Sequence, residues 1–375
     1  MKKLLSSTMS GMPDSNSQLK FYKDMAKTIG HQNSLPFDRT GSIDAPLLNT
    51  IMPEYQLYPG KFNTSFSYEE CCLRKAEEIL RIQDVIQKPI SILYSGGIDS
   101  TIIVCSFIHL LGIKEAARRI HIYMSTDSIY EYSDFFSKIL LPHFDIFPTT
   151  RFVDVFGSDI FITGDGAGTV TVSEWVEKSM RTMGTHFFKL PINLTTLAIY
   201  ARSRSKGFSY EQNHIHSLFE MNRLSADKFG IKLENMLDWV WWFNFNFKYQ
   251  YYPFKALRSF RAYYPDFLVD HDFLKSHFVC FFHSDDFQSW GINHRQEQLE
   301  FDGVKPGRYK GMAKDFIFKI TKDPMYRQLK GKARSLSRVN VMDKLVFGID
   351  EDYKPIHESE IENYLVDSAF LSSFV

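Results

Sequence analysis

Residues 95–101 read Ser-Gly-Gly-Ile-Asp-Ser-Thr, a set of groups able to hold a phosphate chain. Gly96 and Gly97 can take backbone angles closed to other residues and, lacking a Cβ, let a ligand approach the main chain. Where a helix starts just after such a turn, its first amides and its dipole converge on one spot and favour an anion. Ser95, Ser100 and Thr101 add hydroxyl donors there. Asp99 does not suit phosphate by itself, but a carboxylate can hold a Mg²⁺ that bridges phosphate oxygens. The same residue types also build ordinary turns in which Ser or Asp caps the next helix. The phosphate reading is preferred because the string falls between a strand and a helix. No Gly-Lys-Ser/Thr follows, so it is not a Walker loop.

The flanking residues supply that setting. Ile90-Ser91-Ile92-Leu93-Tyr94, bounded by Pro89, is short, apolar and rich in β-branched residues, as expected of a core strand in a parallel sheet. Ile98 to Ile108 is apolar enough and long enough for a buried helix. Upstream, "SYEECCLRKAEEILRIQDVIQ" has helical spacing, with Cys72, Ala76, Ile79 and Ile86 close to one face and acidic residues early. Downstream, 119–126 reads as a strand, 128–141 as its helix, and 159–166 as the last clear strand after a Gly157-Ser158 turn. Alternating strands and helices imply an α/β fold, a doubly wound parallel sheet with ligands at the carboxyl ends of its strands. Beyond about residue 170 the chain turns to aromatic-rich helices. The expected organisation is an irregular arm at 1–66, an α/β core at 67–175, a helical lobe at 176–348 and an acidic tail at 349–375.

The bulk properties bound the rest. A chain of 375 residues suffices for one large domain or two ordinary ones. Lys and Arg total 44, as do Asp and Glu, so no net field favours nucleic acid or an acidic membrane. An aromatic share of 15%, including 34 Phe, calls for a large core or an aromatic-lined cleft. Cys71, Cys72, Cys105 and Cys280 form no C-x-x-C pair and no disulfide framework, which fits reduced, cytoplasmic chemistry. The opening "MKKLLSSTMSG" is too short in apolar residues for a signal peptide, and no stretch has transmembrane length.

"SGGIDS" at 95–100 resembles the pyrophosphate loop of the N-type ATP pyrophosphatase (PP-loop) superfamily, whose sheet is of the adenine nucleotide alpha hydrolase type. "FITGDGAGTV" at 161–170 is similar to the Gly-acid-Gly segment that follows a strand in asparagine synthetases and β-lactam synthetases. "DPMYRQLKGKARSLSR" at 323–338 resembles the late basic segment of the asparagine synthetase domain, and "FHSDDFQSWGINH", with Asp286, Phe287 and Trp290, resembles its helical lobe. The resemblance spans about residues 67–340. It implies an AMP-forming ligase in which Ser95, Gly96, Gly97, Asp99, Ser100 and Thr101 hold the pyrophosphate of ATP, with Mg²⁺ on Asp99. By position, Asp165 would stand beside the reacting substrate, where an acid between two glycines is able to orient or deprotonate an amine. Lys332, with Lys330 close by, would face the charge that accumulates on departing pyrophosphate. On their own, Gly-Asp-Gly is also a plain turn and a basic run also a solvated face.

Two departures from the family pattern matter. Gly168-Thr169 stands where the family has an Asp-Glu pair whose Asp helps hold Mg²⁺. Position 2 is Lys2 rather than the nucleophilic Cys of the glutamine-dependent enzymes, so the expected partners are a small-molecule acceptor and an amine, free ammonia or a separate amidotransferase subunit. Two rival readings remain: an enzyme of the same superfamily that modifies a nucleobase in tRNA or DNA, and a non-catalytic ATP-binding relative. Among other candidates, His214 and His216 do not share a helix face as metal ligands would. Trp239, Trp241 and Trp242 suit a core or interdomain role or, less well, a stacked base. "RSRSKG" at 202–207 reads as a solvated helix end rather than a phosphate contact.

Overall fold

The computed structural model describes residues 38–42, 57, 62, 65–151, 158–171, 174–204, 212–249, 276–294, 310–330, 346–349 and 355–357. The chain divides into two compact units. One is drawn from Phe66–Ala167, Ser259–Phe287 and Pro306–Val375, the other from Met1–Ser65, Gly168–Arg258 and Gln288–Lys305.

The first unit is α/β. Helix α1 (Tyr68–Ile86) begins at a capping box, in which the Glu70 amide donates to Ser67 Oγ at 3.2 Å and the Ser67 amide to Glu70 Oε2 at 2.7 Å. It buries Cys71, Cys72, Ala76 and Ile79, with Ile86 half-buried near its end. Strand β1 (Ile90–Tyr94) runs into helix α2 (Ile98–Leu111), which is buried at nearly every position through Phe107. Helix α3 (Ile113–Arg119) leads to β2 (Ile120–Met124), followed by helix α4 (Thr126–Glu131). Strands β3 (Asp145–Pro148), β4 (Ile160–Thr163) and β5 (Phe278–Cys280) complete a five-stranded, all-parallel sheet of order β3-β2-β1-β4-β5. The central strands are nearly continuous apolar runs, as sheets buried on both faces require.

The strand order has a switch point between β1 and β4. From β1 the chain moves outward to β2 and β3, then returns to the other side of β1 with β4 and β5. Connections leave β1 and β4 in opposite directions, which opens a crevice outside their carboxyl ends.

The sheet holds two strands that the sequence reading did not anticipate. The edge strand β3 is the four-residue Asp-Ile-Phe-Pro, too short for a period, and its proline is tolerated because one side of an edge strand needs no partner. At the opposite edge, the three-residue β5 comes from chain expected to be helical. The helix expected over 128–141 is broken into α4 and a segment at 133–143 that contains a π-helical turn, Phe136–Leu140. Helix α9 (Asp285–Asn293) follows β5, and late in this unit lie α10 (Gly311–Thr321), which packs on α2 and α1, and α11 (Pro324–Leu329). A small antiparallel pair joins Val346–Ile349 to Pro355–His357.

The second unit is helical, with α5 (Glu174–Met183), α6 (Leu194–Arg204), α7 (Gln212–Asp227) and α8 (Met236–Phe247). All twelve residues of α8 are buried, including Trp239, Trp241 and Trp242, so this helix is the core. Trp239 stacks on Phe243 at 4.8 Å between ring centroids and Trp241 on Phe245 at 5.1 Å. Asp38 and Arg39, expected to be part of an irregular arm, are fully buried in this unit. The Arg39 amide donates to Asn246 Oδ1 at 2.9 Å, its Nη1 donates to the Phe245 carbonyl at 2.9 Å, and its guanidinium lies 3.5 Å from the Tyr249 ring centroid.

Ile92 is fully buried and pairs with Ile122 on one side and Ile162 on the other. Ile92→Ala is expected to cost about 2–5 kcal/mol of stability. Urea unfolding followed by circular dichroism measures this, and a loss below about 1 kcal/mol would contradict the central place of β1.

Candidate functional site

The loop between β1 and α2 is tied by its own hydroxyls. The Ser95 amide donates to Ser100 Oγ at 3.1 Å, the Ser95 and Ser100 hydroxyls lie 3.0 Å apart, and the Gly97 amide donates to Ser95 Oγ at 3.3 Å. Ser100 and Thr101 donate to the Gly97 carbonyl at 3.2 and 2.9 Å. Thr101 is fully buried and lies 3.2 Å from the Tyr94 hydroxyl, so its place is beneath the loop, in the core. Gly96 has φ +71°, a left-handed conformation that favours glycine. Gly97 is the N-cap of α2 and no side chain caps the helix, which leaves the first-turn amides of Ile98, Asp99 and Ser100 to serve an anion.

The turn after β4 stands beside this loop because β1 and β4 pair in parallel register. A Cβ on Gly164 would lie 3.2 Å from the Asp99 carbonyl carbon and 3.3 Å from its Cβ, so glycine is what lets the two strand ends approach. Asp165 follows, half-buried, with its amide donating to Thr163 Oγ1 at 3.1 Å. Gly166 has φ +97°, and the space of its missing Cβ is taken by the His283 ring, with Cδ2 at 2.9 Å. His283 follows β5, so the unforeseen strand delivers an imidazole to the Gly-Asp-Gly turn.

The cations at the loop are only partly those expected. Lys332 lies outside the described residues. Lys330 is described, and its ammonium is held by Glu131, which leans on Gly96. Lys310, which sequence reasoning missed, forms an ion pair with Asp99 Oδ1 from 211 positions away. Its side chain is 4% exposed, and its left-handed backbone (φ 51°) precedes α10, where Lys314 donates to its carbonyl at 3.1 Å. The one signal in the sequence is the basic, glycine-bearing run "KPGRYKG" just before that helix.

The remaining candidates fall into structural roles. Asp286 is ion-paired with Arg74 at 2.8 Å, and Phe287 packs on Tyr68, Phe281 and Phe282. Trp290 stacks on His294. His214 is buried and His216 exposed. Among the described residues no group of three or more His, Cys, Asp or Glu is arranged to hold a metal, and no single helix is long and apolar enough to cross a membrane.

The five-stranded, all-parallel α/β sheet, with a glycine turn and an uncapped helix start at its switch point, is compatible with a PP-loop or a Rossmann-like fold. Comparison of the chain with protein-family models, curated proteins and solved structures finds no match to any of the three.

All four cysteines are free and buried. Burial, with the negative charges of Asp286 and Glu70 adding to it, pushes the Cys71 thiol up to about 12. Burial likewise raises the thiols of Cys72, Cys105 and Cys280, the last also facing the charge of Asp165. A raised thiol stays neutral and unreactive at physiological pH. Iodoacetamide at pH 8 should therefore leave all four unmodified in the folded chain and label them in urea, as read by mass spectrometry. Rapid labelling of the native protein would contradict this burial.

Proposed function

We propose that the chain is an AMP-forming, ATP-dependent ligase of the asparagine synthetase-like kind. The observation that carries the reading is the convergence, at one switch point, of an uncapped helix start behind Ser95-Gly96-Gly97, the buried Lys310 and the Gly164-Asp165-Gly166 turn. In this reading the pyrophosphate of ATP lies on the loop amides. A carboxylate or amide oxygen of a small acceptor attacks the α-phosphorus, and the bond from that phosphorus to the bridging oxygen breaks. Pyrophosphate leaves with the bonding pair, and its charge is met by the helix dipole and by Lys310, which takes the role expected of Lys332. An amine or ammonia then attacks the acceptor carbon of the adenylate, AMP departs, and Asp165 takes the amine's proton.

The family resemblance implies a Mg²⁺ at Asp99. Asp99 offers one carboxylate, already engaged by Lys310, and Gly168-Thr169 offers no other. These residues do not fit a resident Mg²⁺. An ion arriving on the nucleotide needs little from the protein, since Mg²⁺ keeps most of its ligands as phosphate oxygens and water. The same Gly168-Thr169 favours a second reading, a nucleotide-binding relative without turnover.

The test is a screen for pyrophosphate release over amino acids, other carboxylates and amines, with ammonia present. AMP and pyrophosphate are the expected products; ADP and orthophosphate would overturn the reading. Asp165→Asn should lower turnover by about 10²–10⁴ while leaving ATP affinity within a few-fold. Normal ATP binding with no turnover for any acceptor would select the non-catalytic relative.

A further inference from the structure

We infer that Glu131 restrains the phosphate loop, by neutralising Lys330 next to Gly96 until a polyphosphate competes for that ammonium. The inference rests on the reading of the loop as a phosphate site and concerns how that site is regulated.

Glu131 is the last residue of α4, the helix that follows the carboxyl end of β2, and β2 is the neighbour of β1. A Cβ on Gly96 would lie 2.7 Å from Glu131 Cβ and 2.9 Å from its Cγ, so the acid rests directly on the loop's left-handed glycine. The Lys330 ammonium donates to the Glu131 carbonyl at 3.1 Å and also to its carboxylate Oε1. Both side chains are about nine-tenths buried, at 11% and 10% exposed. A buried pair of this kind is neutral as a whole, but each member alone is an uncompensated charge close to the loop.

The surroundings hold the pair in place. Lys330 ends α11, where its amide donates to the Tyr326 carbonyl at 3.0 Å and its own carbonyl accepts from Lys314 Nζ at 3.1 Å. Tyr326 stacks on Tyr132, the residue after Glu131, with ring centroids 3.9 Å apart. The Tyr132 hydroxyl donates to Asp323 Oδ2 at 3.1 Å, while Asp323 Oδ1 caps α11 by accepting from the Tyr326 amide at 3.0 Å. The ammonium is also 5.7 Å from the Tyr326 ring centroid. These contacts fix α11 against the residues following α4, so Lys330 is already seated and only its charge is withheld. A ligand carrying several negative charges gains from Lys330 in proportion to its charge and displaces Glu131; a weakly charged anion does not.

The experiment is calorimetric titration of the full chain with inorganic pyrophosphate at fixed ionic strength, using Glu131→Gln, Lys330→Met and the double variant, with circular dichroism to establish folding. Glu131→Gln keeps a hydrogen-bond acceptor for Lys330 and removes the negative charge, so pyrophosphate should bind about tenfold tighter or better, a unit charge at this range in a protein being worth at least that much. Orthophosphate should gain less. Lys330→Met leaves Glu131 unpaired and should weaken pyrophosphate binding about tenfold. The double variant is neutral again and should return to within about threefold of the parent, a comparison that holds even where Glu131→Gln alone does not fold. Unchanged or weaker binding by Glu131→Gln, or a double variant as weak as Lys330→Met, would overturn the inference while leaving the phosphate site intact. Absence of pyrophosphate binding by the parent and by every variant would overturn the phosphate-site reading and this inference with it.

Discussion

The parallel pairing of β1 with β4, Ile90 to Ile160, Ser91 to Phe161 and Ile92 to Ile162, is the constraint on which the site depends. It places two chain reversals, at Ser95 and at Gly164, side by side at the carboxyl end of the sheet although they are far apart in sequence. Both reversals need glycine: Gly96 for its left-handed backbone, and Gly164 for the close approach of Asp99. The buried isoleucines of these strands therefore serve the site as directly as the polar residues do. A slip of one residue in this register would turn every side chain to the opposite face.

The second constraint is electrostatic. An ammonium buried without a partner is expensive. The α/β unit meets this cost at two buried lysines by pairing each with an acid, Lys310 with Asp99 and Lys330 with Glu131. The cost of burying each ammonium is thus offset by its own partner. In the helical unit the three tryptophans of α8 pack among phenylalanines, and Arg39 lies against aromatic rings.

Much of this was legible in the sequence, for reasons that differ by element. The β1 strand, its glycine turn and α2 carry strong local signals: β-branched residues, then Gly-Gly, then a long apolar run. The helical spacing and early acidic residues of α1 and the core role of the tryptophans follow in the same way from short-range chemistry. Strands β3 and β5 were hidden because runs of four and three residues hold no period, and their pairing is decided by neighbours remote in the chain. Lys310 and Glu131 were hidden for a related reason. A lysine in a basic run and a glutamate at a helix end look like solvated surface until the fold brings one to Asp99 and the other to Gly96 and Lys330.

The central claim is that residues 95–101 form an anion cradle built from main-chain amides. Hydrogen–deuterium exchange of the full chain, with and without saturating inorganic pyrophosphate, tests it most directly, because it reads those amides themselves. The account predicts slowed exchange in peptides covering residues 95–101 and in the neighbouring turn at 164–166. Pyrophosphate binding that leaves 95–101 unchanged and protects some other segment would contradict it.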